Sequence, residues 1–357
     1  MLKLARCVLL TVSMITPFAM QAQTAIPKAQ PEGDPAQQKS APKSTQQPAP
    51  SKPQEAAPPK STAPSEALSK TLKKTVAFLT VEFVDGQAIR HEMGTAFFVS
   101  MEDKRLGENR GWIYLVTNRH MAEPDIEGRK VTVLRTLVRL NLKNPIGGAH
   151  SEEGNLPIGQ GSRWFFPKDD AVDLAVMPLA PDQERYDYMS IPTTVFATKD
   201  IVESENIAEG DTVLFTGFFY QFPGQDKIQP ILRQGILAMM PDEPLETTRG
   251  KPGRLYLADA HVFGGNSGAP LFVNTGGIRQ SGSGNTLLGI RYRLLGIVSG
   301  YFYETQDFQL QIATTLKGKA SANSGISLVV PVDELKTLLE SPELQAKRDS
   351  DLARERK

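Results

Sequence analysis

Between Ser69 and Leu344, glycine, proline and aspartate cut the chain into twelve short apolar runs, and such spacing specifies an all-β fold. The runs cover residues 75–83, 95–100, 112–117, 131–140, 172–177, 212–217, 233–239, 254–259, 270–273, 294–299, 308–314 and 326–330. Five precede and seven follow the segment 180–209, which reads as a connection between two groups of strands. One further strand is therefore expected in the first group, near Arg163 to Phe166. Only Pro331 to Leu339 shows helical apolar spacing, with a proline at a plausible helix start. It is expected to pack on the second group.

The first residues have a different character. Lys3 and Arg6 precede an apolar stretch from Val8 to about Phe18, followed by small and polar residues to Gln23, which is the pattern of a secretory signal peptide over residues 1–22. A retained membrane anchor is the weaker reading, because the stretch falls short of the roughly 20 residues that span a bilayer. The only cysteine, Cys7, would leave with the signal. A disulfide-free exported protein fits a bacterial periplasmic or secreted location. Residues 23–66 hold ten prolines, no aromatic residue and one large aliphatic side chain, Ile26, so they are expected to form a disordered linker. Residues 345–357, charged throughout, read as a solvated tail. Forty basic and forty acidic residues balance to zero, which gives no reason to expect nucleic acid or an anionic membrane as partner.

One serine stands out. Gly264-Gly265-Asn266-Ser267-Gly268 places a hydroxyl in a glycine-rich turn just before the apolar run Leu271-Phe272-Val273. There the N–H groups of Gly265 and Ser267 can point at one spot and stabilise an oxyanion. Such a turn is often nothing more than a hairpin. Elsewhere, however, His120 ends the run Trp112 to Thr117, and Asp173 opens Leu174-Ala175-Val176. A carboxylate that holds an imidazole, and an imidazole that accepts a serine proton, are what a serine nucleophile needs. Asp170 is the rival carboxylate, and the apolar run after Asp173 favours the latter. His91 and His150 sit in polar surroundings without paired ligand spacing, so no metal site and no cofactor is expected.

In the order His, Asp, Ser, and in their flanks, these residues resemble the trypsin-fold serine proteases, most closely the bacterial HtrA-like branch. Gly94-Thr95-Ala96-Phe97-Phe98-Val99, Val116-Thr117-Asn118-Arg119-His120 and Asp173-Leu174-Ala175-Val176 resemble successive motifs of that family. So do Glu209-Gly210-Asp211-Thr212-Val213, Gly265-Asn266-Ser267-Gly268 and Gly325-Ile326-Ser327-Leu328-Val329-Val330-Pro331. The resemblance implies two six-stranded antiparallel β-barrels, the first over about 74–180 and the second over about 210–331, with a C-terminal helix over about 331–344. Asn266 stands where trypsin has the aspartate that pairs with a freed N-terminus, so activation by that route is not expected. The PDZ modules usual in the HtrA branch are not expected after residue 344.

A catalytic trio of His120, Asp173 and Ser267 is implied, with Gly265 and Ser267 N–H groups as the oxyanion hole. By resemblance, His261, Ser299, Gly300, Tyr301 and the segment near Ser324 to Ser327 wall the pocket for the residue before the scissile bond. His261 there would favour an acidic side chain; as a plain loop histidine it would not. Without a buried carboxylate the pocket disfavours Lys and Arg, since an unpaired buried charge is costly, and small or medium uncharged residues are expected. The expected function is an exported serine endopeptidase acting on polypeptides. A binding protein that keeps the fold without catalysis is the alternative.

Overall fold

The computed structural model describes residues 66–355 apart from 127, 145–153, 160–161, 281–285, 290 and 312–314. The signal peptide and nearly all of the linker lie outside these residues, as does His150. The chain divides into two units, Met1–Lys60 and Ser61–Lys357, and every described residue belongs to the second.

A helix absent from the sequence reading, α1 (Glu66–Lys74), leads into the first group of strands and buries Leu72. That group is β1 (Val76–Asp85), β2 (Ala88–Glu102), β3 (Gly111–Thr117), β4 (Thr132–Arg139), β5 (Asn155–Pro157) and β6 (Ala175–Pro178). They form an antiparallel sheet in the order β5-β4-β1-β2-β3-β6, with Ile191–Pro192 added in parallel to β2. The sixth strand is therefore Asn155–Pro157. The expected one, near Arg163–Phe166, contributes a single bridge between Phe165 and Val176, because Pro167 has no N–H to extend the ladder.

The second group is β7 (Thr212–Gly217), β8 (Ile231–Met239), β9 (Tyr256–Asp259), β10 (Pro270–Asn274), β11 (Tyr292–Gln311) and β12 (Thr315–Pro331). It closes into a six-stranded barrel in the order β7-β8-β9-β12-β11-β10. Residues 308–311 of the expected run 308–314 belong to β11, and 312–314 lie outside the described residues. β11 and β12 run on past the barrel as one long hairpin, paired from Gly296 with Pro331 out to Gln311 with Thr315. After β10, the short strand Gly277–Gln280 pairs with Thr286–Gly289.

Alternation along β2 explains how the halves share a core. Ala96 and Phe98 face the interior of the first sheet with Leu79, Leu115, Val138 and Met177. Phe97 and Val99 point the other way, into a cluster with Phe272, Ile297 and Val330 of the second barrel. A third cluster, with Val213, Phe215, Leu271 and Val329, fills the barrel itself. A strand buried on both faces reads as an unbroken apolar run, which is what Ala96–Val99 is.

Besides α1, two short helices precede the helix expected after Pro331: α2 (Arg119–Ala122) and α3 (Lys199–Ser204). The C-terminal pair is α4 (Val332–Leu339) and α5 (Pro342–Glu355). Val332, Leu335, Leu338 and Leu339 of α4 enter the cluster between the halves. The segment read as a solvated tail is most of α5, and it is docked. Leu344 and Leu352 are buried, and so is Arg348, whose Nη1 donates to Tyr114 Oη (3.0 Å) and to Leu339 O (2.8 Å). Leu339 ends α4, so the guanidinium satisfies a carbonyl at the negative end of that helix. Ending the chain after Ser341 is expected to destabilise the fold by roughly 3–6 kcal/mol from the two leucines alone. A denaturation midpoint unchanged by that truncation would show that α5 contributes nothing.

Candidate active site

His120 sits in α2, one turn of helix at the end of β3. Its Nδ1 lies 2.7 Å from Asp173 Oδ2, and its backbone N–H donates to Asp173 Oδ1 at 3.0 Å. Asn118 Nδ2 donates to the Asp173 backbone carbonyl (2.9 Å), so the two segments are tied by three contacts. Asp173 is 1% exposed, whereas the rival Asp170 is 55% exposed and pairs with Lys251. The structure therefore separates the two carboxylates that the sequence left competing.

Two hydroxyls complete the shell of Asp173. Ser299 Oγ donates to Oδ2 at 2.7 Å and Thr248 Oγ1 to the same oxygen at 2.8 Å. Ser299, expected to wall a substrate pocket, is 2% exposed and spends its side chain on the carboxylate instead. Burial would push the Asp173 carboxyl up, but the charge and hydrogen bonds of His120, with help from Ser299, hold it well below the usual carboxylate range. For His120, burial pulls the imidazole down. Asp173, by charge and hydrogen bond, and the charge of Glu92 outweigh it, and the pKa stands above the ordinary histidine value. Arg249 acts in the opposite direction.

Ser267 lies in the turn before β10. Gly265 (φ +93°) and Gly268 (φ +83°) adopt the left-handed backbone that glycine tolerates. A Cβ at Gly265 would stand 2.4 Å from the Phe218 ring, so no larger residue fits without rearrangement. Asn266 braces the turn from inside: its Oδ1 accepts from Phe263 N (2.8 Å) and its Nδ2 donates to Phe218 O (2.7 Å). No carbonyl among the described residues accepts from the N–H of Gly265 or of Ser267.

Strand β2 joins this turn to the histidine. Thr95 N donates to Ser267 O (2.9 Å). Thr95 Oγ1 donates to Gly265 O (2.8 Å) while accepting from Phe218 N (2.8 Å). At the preceding Gly94, a Cβ would meet Met121 Cε at 2.8 Å and Ser267 O at 3.3 Å, so the residue after His120 and the serine carbonyl converge on one glycine. Beside His120 opens a cleft of about 520 Å³, lined also by Glu92, Asp125, Gly128, Thr248, Arg249 and Ser299. Burial raises the Glu92 carboxyl above the usual range, partly offset by His120.

The remaining pocket candidates are placed differently from one another. His261 has φ +43°, its ring is 62% exposed, its Nδ1 is 3.9 Å from Asp259 Oδ1, and it lies against Gly325. Gly300 leaves room for Thr248, since a Cβ there would be 2.6 Å from Thr248 Cγ2. Tyr301 packs against Tyr303 with ring centroids 4.8 Å apart and the rings tilted by 52°. Among the residues the sequence did not single out, Thr95 belongs to a quoted motif, but Thr248 and Glu92 carry no motif signal.

A closed antiparallel barrel beside a second strand sheet, with a buried Asp–His pair and a glycine-framed serine, defines a protein of the trypsin-like class. The model of the trypsin-like peptidase domain matches residues 94–278, more than half of the chain, and the chain belongs to that family. No curated protein matches it. Among solved structures it is similar to an HtrA-type protease AlgW variant with a tripeptide, at 17% identity and a TM-score of 0.42, over 76% of this chain and 62% of that one. It is similar also to HtrA-type protease AlgW with a decapeptide, at 18% identity and a TM-score of 0.40, over 76% of this chain and 66% of that one. The chain thus spans slightly less than two thirds of the length of either structure.

Proposed function

We propose that the chain is an exported serine endopeptidase that cleaves polypeptides through an acyl-enzyme. The observation that carries this reading is the 2.7 Å contact between His120 Nδ1 and the buried Asp173, in the first sheet to which Thr95 N ties the Ser267 turn of the second barrel. With Nδ1–H given to Asp173, Nε2 is left as the base. As Ser267 Oγ attacks a peptide carbonyl, Nε2 takes the hydroxyl proton and the carbonyl oxygen becomes an oxyanion facing the Gly265 and Ser267 N–H groups. The intermediate collapses, the C–N bond breaks, and Nε2 returns the proton to the amine. Water then repeats the sequence to release the acid. Cleavage after small or medium uncharged residues remains part of the proposal, because the exposed His261 ring next to Asp259 supports no dedicated acidic pocket.

A fluorophosphonate probe tests the reading directly. It is expected to label Ser267 in the wild type and not in His120→Ala. Labelling that survives loss of the imidazole would sink the proposed base, and a wild type that never labels would favour a binding protein.

The ionisation of His120 gives a second test. Asp173 and Glu92 raise its pKa, and only the neutral ring accepts the serine proton, so kcat/KM should rise through an ionisation above about 6.5. Glu92→Gln removes a negative charge beside the ring and should move that limb to lower pH. A limb that stays in place in Glu92→Gln would show that the carboxylate is not felt at the imidazole.

A further inference from the structure

We infer that Thr248 is a positioning residue of this site, a second hydroxyl through which Asp173 holds the His120 ring. Thr248 Oγ1, Ser299 Oγ and Asp173 Oδ2 form a nearly equilateral triangle, with edges of 2.8, 2.7 and 2.8 Å. Oδ2 also faces His120 Nδ1 at 2.7 Å. The triangle has three edges and only two hydroxyl protons. Either both hydroxyls donate to the carboxylate, or one donates to the other, which donates to Oδ2. In each arrangement, removing one hydroxyl leaves the other with a proton for Asp173. The two residues therefore back each other up.

Thr248 is held in place from three sides. It lies in the hairpin joining Leu245–Glu246 to Pro252–Gly253. Arg249 Nε donates to Asp170 O at 2.9 Å, and Lys251 pairs with the Asp170 carboxylate, which pins the hairpin to the turn that leads into Asp173. On the other flank, the absence of a side chain at Gly300 makes the space that Thr248 Cγ2 occupies. A threonine merely decorating an exposed hairpin would need none of these contacts.

The consequence is electrostatic. Charge on Oδ2 that is shared with two hydroxyls is charge withheld from the imidazolium, so losing a donor should strengthen the hold of Asp173 on protonated His120. The charged groups around His120 are Asp173, Glu92 from β2, Asp125 from the two-residue strand after α2, and Arg249 from the hairpin. Of these, it is Asp173 that the Thr248 hydroxyl hydrogen-bonds.

The experiment is an NMR titration of the His120 imidazole in the full chain carrying Ser267→Ala, where no hydrolysis is needed. Adding Thr248→Val is expected to raise the midpoint by on the order of half a unit, and Thr248→Ser to restore it. Combined with Ser299→Ala, the shift should exceed the sum of the single shifts, since the backup is gone. An unmoved midpoint in Thr248→Val, or an equal shift in Thr248→Ser, would overturn the inference. In the enzyme with Ser267 intact, the acid limb of kcat/KM should move in parallel. The kinetic arm rests on the peptidase reading and the titration does not. Shifted titrations without any probe labelling would retire the peptidase while leaving the positioning role, and hydrolysis with unmoved titrations would do the reverse.

Discussion

Replacing Ser267 by alanine is expected to abolish peptide hydrolysis, with a loss in kcat on the order of 10⁶-fold, while the fold persists. The hydroxyl makes no hydrogen bond among the described residues, and the contact that fixes the turn, Thr95 N to Ser267 O, uses the backbone. Stability should therefore stay within about 0.5 kcal/mol of the wild type. Turnover of a peptide library by purified wild type and variant, alongside thermal unfolding of both, checks the two halves of the statement. Wild-type turnover in the alanine variant would remove Ser267 from the chemistry.

Asp173→Asn should damage catalysis less than Ser267→Ala but, unlike it, should also weaken the fold. The carboxylate oxygens accept from His120 N, His120 Nδ1, Ser299 and Thr248. An amide offers one acceptor atom and one donor, so whichever way it turns, donors face donors. If the NH₂ replaces Oδ2, the imidazole must present a lone pair at Nδ1 and carry its proton on Nε2, where it can no longer act as base. A fall in kcat of about 10⁴-fold is expected from the wrong tautomer. Burying mismatched donors should cost on the order of 2–3 kcal/mol of stability. Kinetics and denaturant titration of one preparation read both effects; full stability with full activity would refute the buried role of Asp173.

What the sequence made legible follows from how local each signal was. The Asp–His contact could be anticipated because Val116 to His120 and Asp173 to Val176 each couple a polar residue to an apolar run. The edges of β7 match the expected run, since turn residues bound it on both sides. Thr248 gave no such signal: Thr247-Thr248-Arg249-Gly250 reads as any polar turn, and its partner Asp173 lies 75 positions away. Ser299 was assigned to a pocket because its segment, not its rotamer, was visible. β11 was cut short because Glu304, Gln306 and Asp307 interrupt its apolar pattern, although backbone pairing with β12 carries the strand onward regardless. The last helix was misjudged for the same reason in reverse. Its charged composition looks solvated, yet Arg348 is buried against a phenol and a carbonyl.

That arginine has a consequence for the order in which the molecule can be completed. Tyr114, its partner, lies on the strand that runs directly into His120, 234 positions earlier. Whatever order the barrels follow, β3 cannot acquire its full set of neighbours until Arg348 has been synthesised, 234 positions later. Contacts of such long range are formed late, because the loop must close before the contact rewards it. A chain still emerging is thus left with the histidine strand short of one buried partner. The segment that looks most dispensable by composition is the one that completes the surroundings of that strand.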